Sequence, residues 1–132
     1  MTPMNRTVLA VALSVIAAAP AFAASTFQQT CSTIEFKYGA QGQATISATC
    51  LRADGSPNAT SLAIQGVSNN TGTLTRVGGD STFQKSCCNI TIAAKDANMV
   101  DLSALCRSSS GASNSTSIGL DGIKNNNGVL SY

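Results

Sequence analysis

The residues best equipped for chemistry in this chain are five cysteines, Cys31, Cys50, Cys87, Cys88 and Cys106. Nineteen positions separate Cys31 from Cys50, and nineteen separate Cys87 from Cys106. In an exported chain such thiols pair. Zinc is the rival use, but the sequence has no histidine and no close Cys-x-x-Cys pair, so neither a metal nor another cofactor is expected. Bridges Cys31–Cys50 and Cys87–Cys106 each close a loop of about 20 residues, worth about 3 kcal/mol if unstrained. Cys88 is left over: a buried small residue, a free thiol, a link to a second chain, or a substitute for Cys87 opposite Cys106, with an unpaired thiol as the expectation.

Catalysis has few candidates. Without histidine the usual general base near neutral pH is missing. The carboxylates Glu35, Asp54, Asp80, Asp96, Asp101 and Asp121 stand apart in polar or strand contexts. There is no Gly-x-Ser-x-Gly elbow, phosphate loop or dinucleotide fingerprint. A glycosidase built from carboxylates remote in sequence stays open, but no motif points to it, and a non-enzyme is expected. Asn58, Asn69, Asn89 and Asn114 head Asn-x-Ser/Thr sequons, which matter only in a host that attaches glycans there.

The chain opens with Arg6, an apolar run over Val8–Ala19 and the small residues of Pro20-Ala-Phe-Ala23. This reads as a signal peptide, residues 1–23, cut after Ala23, and the mature protein is expected to be secreted to the extracellular space. The run is too short to span a bilayer, which takes roughly 20 apolar residues. Without Arg6, seven Lys/Arg face six Asp/Glu. A nearly neutral chain whose positive residues lie singly argues against nucleic acid and against membrane insertion or surface binding.

Those residues are positioned by a tandem duplication. Phe27-Gln-Gln-Thr-Cys31 returns as Phe83-Gln-Lys-Ser-Cys87, and later landmarks return at the same offset of 56. Cys50 becomes Cys106, Gly55 becomes Gly111, and Asn58-Ala-Thr-Ser61 becomes Asn114-Ser-Thr-Ser117. Repeats 27–76 and 83–132 align without a gap, with sixteen identities in fifty positions. About fifty residues bury little surface alone, so residues 24–132 are expected to share one core. Alternation over Ile34–Tyr38 and Ile46–Cys50 predicts strands, as do Ser61–Ile64, Ile90–Ile92, Val100–Cys106, Ile118–Leu120 and Val129–Tyr132. Ile46, Ala48, Cys50 and Val100, Leu102, Ala104, Cys106 should face the core. Gly66–Asn70 and Gly122–Asn126 read as helical turns, and Val77-Gly-Gly-Asp-Ser81 as a hinge. Such a hinge between like halves permits exchange of elements, so the protein is expected to be a monomer or a domain-swapped homodimer.

A Phe-x-x-x-Cys start, a cysteine in the next strand, an Asn-x-Thr/Ser-Ser turn and an Asn-x-x-Gly-x-Leu end, all present twice, resemble the cyanovirin-N homology family over residues 26–132. The resemblance implies an elongated all-β fold with a pseudo-two-fold axis, each half assembled from segments of both repeats. It also implies cysteine pairs joined within each repeat. It implies a non-catalytic lectin whose partners are mannose-rich glycans or glycoproteins, especially α1-2-linked dimannose, bound in a shallow pocket at either end. A surface rich in Ser, Thr, Asn and Gln supplies fixed neutral donors and acceptors for sugar hydroxyls. The alternative is a secreted structural or interaction protein that keeps the fold without the sugar.

Carried across, the first pocket falls on Gln29, Thr30, Leu51, Arg52, Ala53, Asn125, Asn126 and Asn127. The second falls on Lys85, Ser86, Arg107, Ser108, Ser109, Ser68, Asn69, Asn70 and Thr71. Leu51 stands where the family commonly has an acidic residue. Thr71 and Asn127 stand where it often has Asp, and Ser68 and Lys85 replace acidic groups of the second pocket. Asn127 and Thr71 still hydrogen-bond, without the added strength of a charged acceptor. The asparagines before Gly72 and Gly128 also suit turn geometry, whatever they bind.

Overall fold

The computed structural model describes residues 24–132, so the leader expected over 1–23 lies outside the described residues. Ten strands and three short 3-10 turns make up this part of the chain. In repeat one, β1 (Cys31–Tyr38), β2 (Ala44–Leu51) and β3 (Pro57–Ala63) form an antiparallel sheet, followed by the hairpin β4 (Gln65–Asn70) and β5 (Thr73–Asp80). Repeat two gives the sheet β6 (Cys87–Asp96), β7 (Met99–Arg107) and β8 (Ser113–Leu120), then the hairpin β9 (Lys124–Asn126) and β10 (Val129–Ser131). The 3-10 turns are Phe27–Gln29, Ala40–Gly42 and Phe83–Lys85.

The middle strand of each sheet alternates strictly. Ala44, Ile46, Ala48 and Cys50 of β2 are buried, as are Val100, Leu102, Ala104 and Cys106 of β7, while the residues between them are half-buried. Phe27 and Phe83, the landmarks that open the repeats, are fully buried in the same core. Burying such a ring is worth about 1.5–3 kcal/mol. Cys31 lies opposite Cys50 and Cys87 opposite Cys106 in the strand pairing, and both pairs are disulfide-bonded. Cys88 is exposed and free, since its neighbour in the strand turns the other way.

Each hairpin leaves its own sheet and lies against the other repeat's: β10 runs beside β3, and β5 beside β8. Side chains seal both joints at equivalent positions. Asn58 Nδ2 donates to Gly128 O (2.8 Å) and Thr60 Oγ1 accepts from Leu130 N (3.2 Å); Asn114 donates to Gly72 O (2.7 Å) and Thr116 accepts from Leu74 N (3.1 Å). All eight residues are among the sixteen identities between the repeats. The duplication has held fast where one copy grips the other.

Two expectations need correction. Gly66–Asn70 belongs to β4 and Gly122–Asn126 ends in β9, so neither is a helical turn. Their polar residues do not alternate by hydrophobicity, because a two-stranded ribbon buries little beyond Val67, Leu74, Ile123 and Leu130. The supposed hinge is no free link either. Val77–Asp80 continue β5 around a bulge, with Gln65 pairing Asp80 and Val67 pairing Arg76. Ser81 is buried, and its Oγ accepts from Val67 N (3.0 Å) just as Ser25 Oγ accepts from Ile123 N (3.2 Å). Ser25-Thr26 and Ser81-Thr82 therefore extend the equivalence two residues upstream of Phe27 and Phe83.

Candidate functional site

At one end of the molecule, two segments remote in sequence enclose a shallow recess of about 420 Å³. One wall is the loop after β2: Leu51, Arg52, Ala53 and Gly55. The other is the tip of the β9–β10 hairpin, Asn125 and Asn127, with Thr30 at the base. The tip is a two-residue turn, Asn127-Gly128, with φ of 50° and 88° and Asn126 paired to Val129. Positive φ at both central residues is the tight hairpin geometry that Asn-Gly favours. Glycine is required for a second reason: a Cβ on Gly128 would lie 2.7 Å from Arg52 Cγ and 3.2 Å from Asn58 Cβ.

Asn125 clamps the walls together. Its Nδ2 donates to Thr30 Oγ1 and to Leu51 O, both at 2.8 Å, and its Oδ1 accepts from Gly128 N at 2.7 Å. Asn127 adds a second tie, its Oδ1 accepting from Ala53 N at 2.9 Å. Arg52 crosses its own loop to Ser56 Oγ, Pro57 O and Asn58 Oδ1. Within that loop, Ser56 N and Ser56 Oγ both donate to Asp54 Oδ1. These two bonds, aided by Arg52, hold the Asp54 carboxyl below its ordinary value of 3.8. The recess therefore offers the Thr30 hydroxyl, the Asn127 amide and loop backbone, all on a hydrogen-bonded frame, beside the exposed apolar face of Leu51. The one charged side chain of the lining, Arg52, is engaged by the neutral groups of its own loop, and the remaining groups suit hydroxyls.

Six of the eight residues named for the first pocket line this recess. Gln29 does not: its Nε2 donates to Ala97 O at 2.7 Å, tying the first 3-10 turn to the β6–β7 connection. Asn126 is exposed but is absent from the lining.

The opposite end repeats the clamp without the same recess. Asn69 Nδ2 donates to Ser86 Oγ and Arg107 O, both at 2.9 Å, and Asn69 Oδ1 accepts from Gly72 N at 2.8 Å. Thr71, with φ of 46°, replaces Asn127 at the turn and has too short a side chain to tie back to the loop as Asn127 does. Lys85, Ser86 and Arg107 line a smaller cavity of about 240 Å³, together with Cys88, Leu105 and Ser113. Ser108, Ser109 and Ser68–Thr71 take no part in that lining. Ser108 pairs instead with Ser110, and Ser68 with Thr75. The two ends thus differ in the shape of the site, although their clamps match bond for bond. Among the described residues no cluster of three or more His, Cys, Asp or Glu could hold a metal ion.

The fold has parallels among solved structures. Microvirin, solved in complex with mannobiose, is 31% identical, with 81% of this chain and 97% of that one covered at a TM-score of 0.58. A CVNH protein of T. borchii superposes with a TM-score of 0.62 at 22% identity, covering 81% of this chain and 98% of that one. One from N. crassa does so at 0.61 and 22%, covering 80% and 96%. No curated protein sequence matches the chain. The CVNH domain model matches residues 27–131, which takes in both repeats, both disulfides and both clamps, and the chain belongs to that lectin family.

Proposed function

We propose that the protein is an exported, non-catalytic lectin that binds mannose-rich oligosaccharides, chiefly in the recess formed by Thr30, Leu51–Ala53, Asn125 and Asn127. One observation carries this reading: two segments 74 residues apart, Ala53 and Asn127, are tied into a hydrogen-bonding recess at one end of the molecule, and its one charged lining residue, Arg52, is engaged by its own loop. Preorganised neutral groups suit sugar hydroxyls, because little ordering remains to be done on binding. Microvirin, the family member solved with mannobiose, supports the sugar class. The far end, with Thr71 in place of Asn127 and a smaller cavity displaced toward Cys88, is the weaker site.

Calorimetric titration with α1-2 mannobiose tests this. Binding by the wild type is expected, weakened several-fold in Thr30→Val and in Asn127→Ala, since each loses a hydrogen bond worth about 0.5–1.5 kcal/mol. The corresponding Ser86→Ala and Thr71→Ala changes should alter it little. Absence of binding by the wild type at millimolar sugar would overturn the proposal and leave an interaction protein built on a lectin fold.

A further inference from the structure

Away from both ends, a cavity of about 300 Å³ opens where the repeats meet. Its walls bring together residues that are equivalent across the duplication: Gln65 with Asp121, Val67 with Ile123, and Arg76 with Tyr132. The cavity therefore sits on the pseudo-two-fold axis. The apolar pair at its floor is alike in both copies, Val67 and Ile123 being buried. The polar pairs have diverged, and they surround the opening with different chemistry on each side.

Both copies hold the same backbone contact by different means. Arg76 donates through a terminal guanidinium nitrogen to Gly119 O, and at the equivalent place Tyr132 Oη donates to Ala63 O at 2.8 Å. Arg76 also pairs with Asp121 at 2.9 Å, and Tyr132 Oη accepts from Gln65 N at 3.1 Å. These bonds fix the ring and the ion pair as rigid walls. The Tyr132 residue remains half exposed, and Asp121 is held in place by its cation. A charge-balanced wall favours neither an anion nor a cation. A fixed ion pair strengthens hydrogen bonds to neutral hydroxyls, and an aromatic ring offers a face or edge to a hydrocarbon surface.

We infer that this axial cavity is a third saccharide site, taking one neutral pyranose with its hydroxyls toward Asp121, Arg76 and Gln65 and its C–H face toward Tyr132. It shares no residue with the terminal recess, so the two stand or fall separately.

Amide chemical-shift mapping of the folded chain, titrated to millimolar levels with methyl α-mannoside or with N-acetylglucosamine, distinguishes them. The backbone amides of Gln65–Val67, Gly79 and Asp121–Ile123 report the axial cavity, and those of Leu51–Ala53 and Asn127–Gly128 report the end. A saturable shift of the first set with at least one of these sugars is expected. Val77 is exposed and lines the cavity, so Val77→Trp should abolish that shift while leaving the second set unchanged. Gln65→Ala keeps the main-chain bond to Tyr132 and should weaken binding at the first set about two- to ten-fold, the loss of one hydrogen bond. An unmoved first set with both sugars, or a shift that persists undiminished in both variants, would overturn the inference whatever happens at the end of the molecule.

Discussion

Thr71 and Thr33 hold left-handed backbone, with φ of 46° and 53°, where the second repeat has Asn127 and Asn89 at 50° each. Both sites are demanded by geometry: the first is a hairpin turn and the second lies at a strand bulge between Ser32 and Glu35. A β-branched side chain is strained there, whereas asparagine tolerates it. Thr71→Asn and Thr33→Asn should each stabilise the protein by about 1 kcal/mol, raising Tm by about 4–8 °C. Thermal melts would show it, and an unchanged or lowered Tm in both variants would refute the strain argument. Asp54 supplies the pH dependence at this scale. Its carboxyl is depressed in the folded chain, first by the Ser56 hydroxyl, then by the Ser56 amide. Its stabilisation is therefore complete above the ordinary aspartate value and is lost as pH falls through the folded one. The Arg52–Ser56 turn should loosen in that acid window, weakening sugar binding at the recess it walls. A binding profile that Asp54→Ala leaves unaltered would contradict this role.

Among elements, the hairpins decide most. Asn125 spends both donors and its carbonyl oxygen on Thr30, Leu51 and Gly128, so it is a scaffold residue before it is anything else. Asn125→Ala removes three bonds and strands Gly128 N; a loss of about 2–4 kcal/mol is expected, with Asn69→Ala costing a similar amount. Denaturant melts measure both, and a loss below about 0.5 kcal/mol in either would mean that the clamp contributes less than a typical hydrogen bond. Burial, outweighing the opposing bond from the Gln65 amide, raises the Tyr132 phenol above its usual 10, so its support for the joint is present below that value and lost as pH rises through the folded one. Much of this was legible in the chain. Paired cysteines at equal spacing, the alternation in β2 and β7 and the fifty-residue repeat all carry strong signals, because each obeys a local period. What escaped depends on partners in the other repeat. The strands β4 and β9 have little apolar pattern of their own, and Gln29, read as a sugar contact, turns to Ala97. The Ser25-Thr26 and Ser81-Thr82 match was available in the sequence, but its meaning lies in hydroxyls that accept from Ile123 and Val67.

At the scale of the molecule, the link after β3 determines why the repeats interlock. Only Ile64 stands between Ala63, the end of β3, and Gln65, the start of β4. It is buried, and its amide donates to Ala44 O at 2.9 Å. One residue spans at most about 3.6 Å, too little for the β4–β5 hairpin to turn back along its own sheet. The hairpin must run on, and the surface it meets is β8 of the other repeat. In the second repeat three residues, 121–123, link β8 to β9, the last of them the buried Ile123, and β10 lies beside β3, so each three-stranded sheet receives the hairpin of the other copy. Residues 24–80 and 81–132 prepared as separate chains should then each lack the partner of their hairpin and show no cooperative melt, despite an intact disulfide worth about 3 kcal/mol in each. Mixed in equal amounts they should recover strand circular dichroism and a single transition whose midpoint rises with concentration, as a bimolecular assembly requires. A cooperative melt from either fragment alone, independent of its concentration, would mean that a repeat can close on itself, and the interlocked assembly would lose its physical basis.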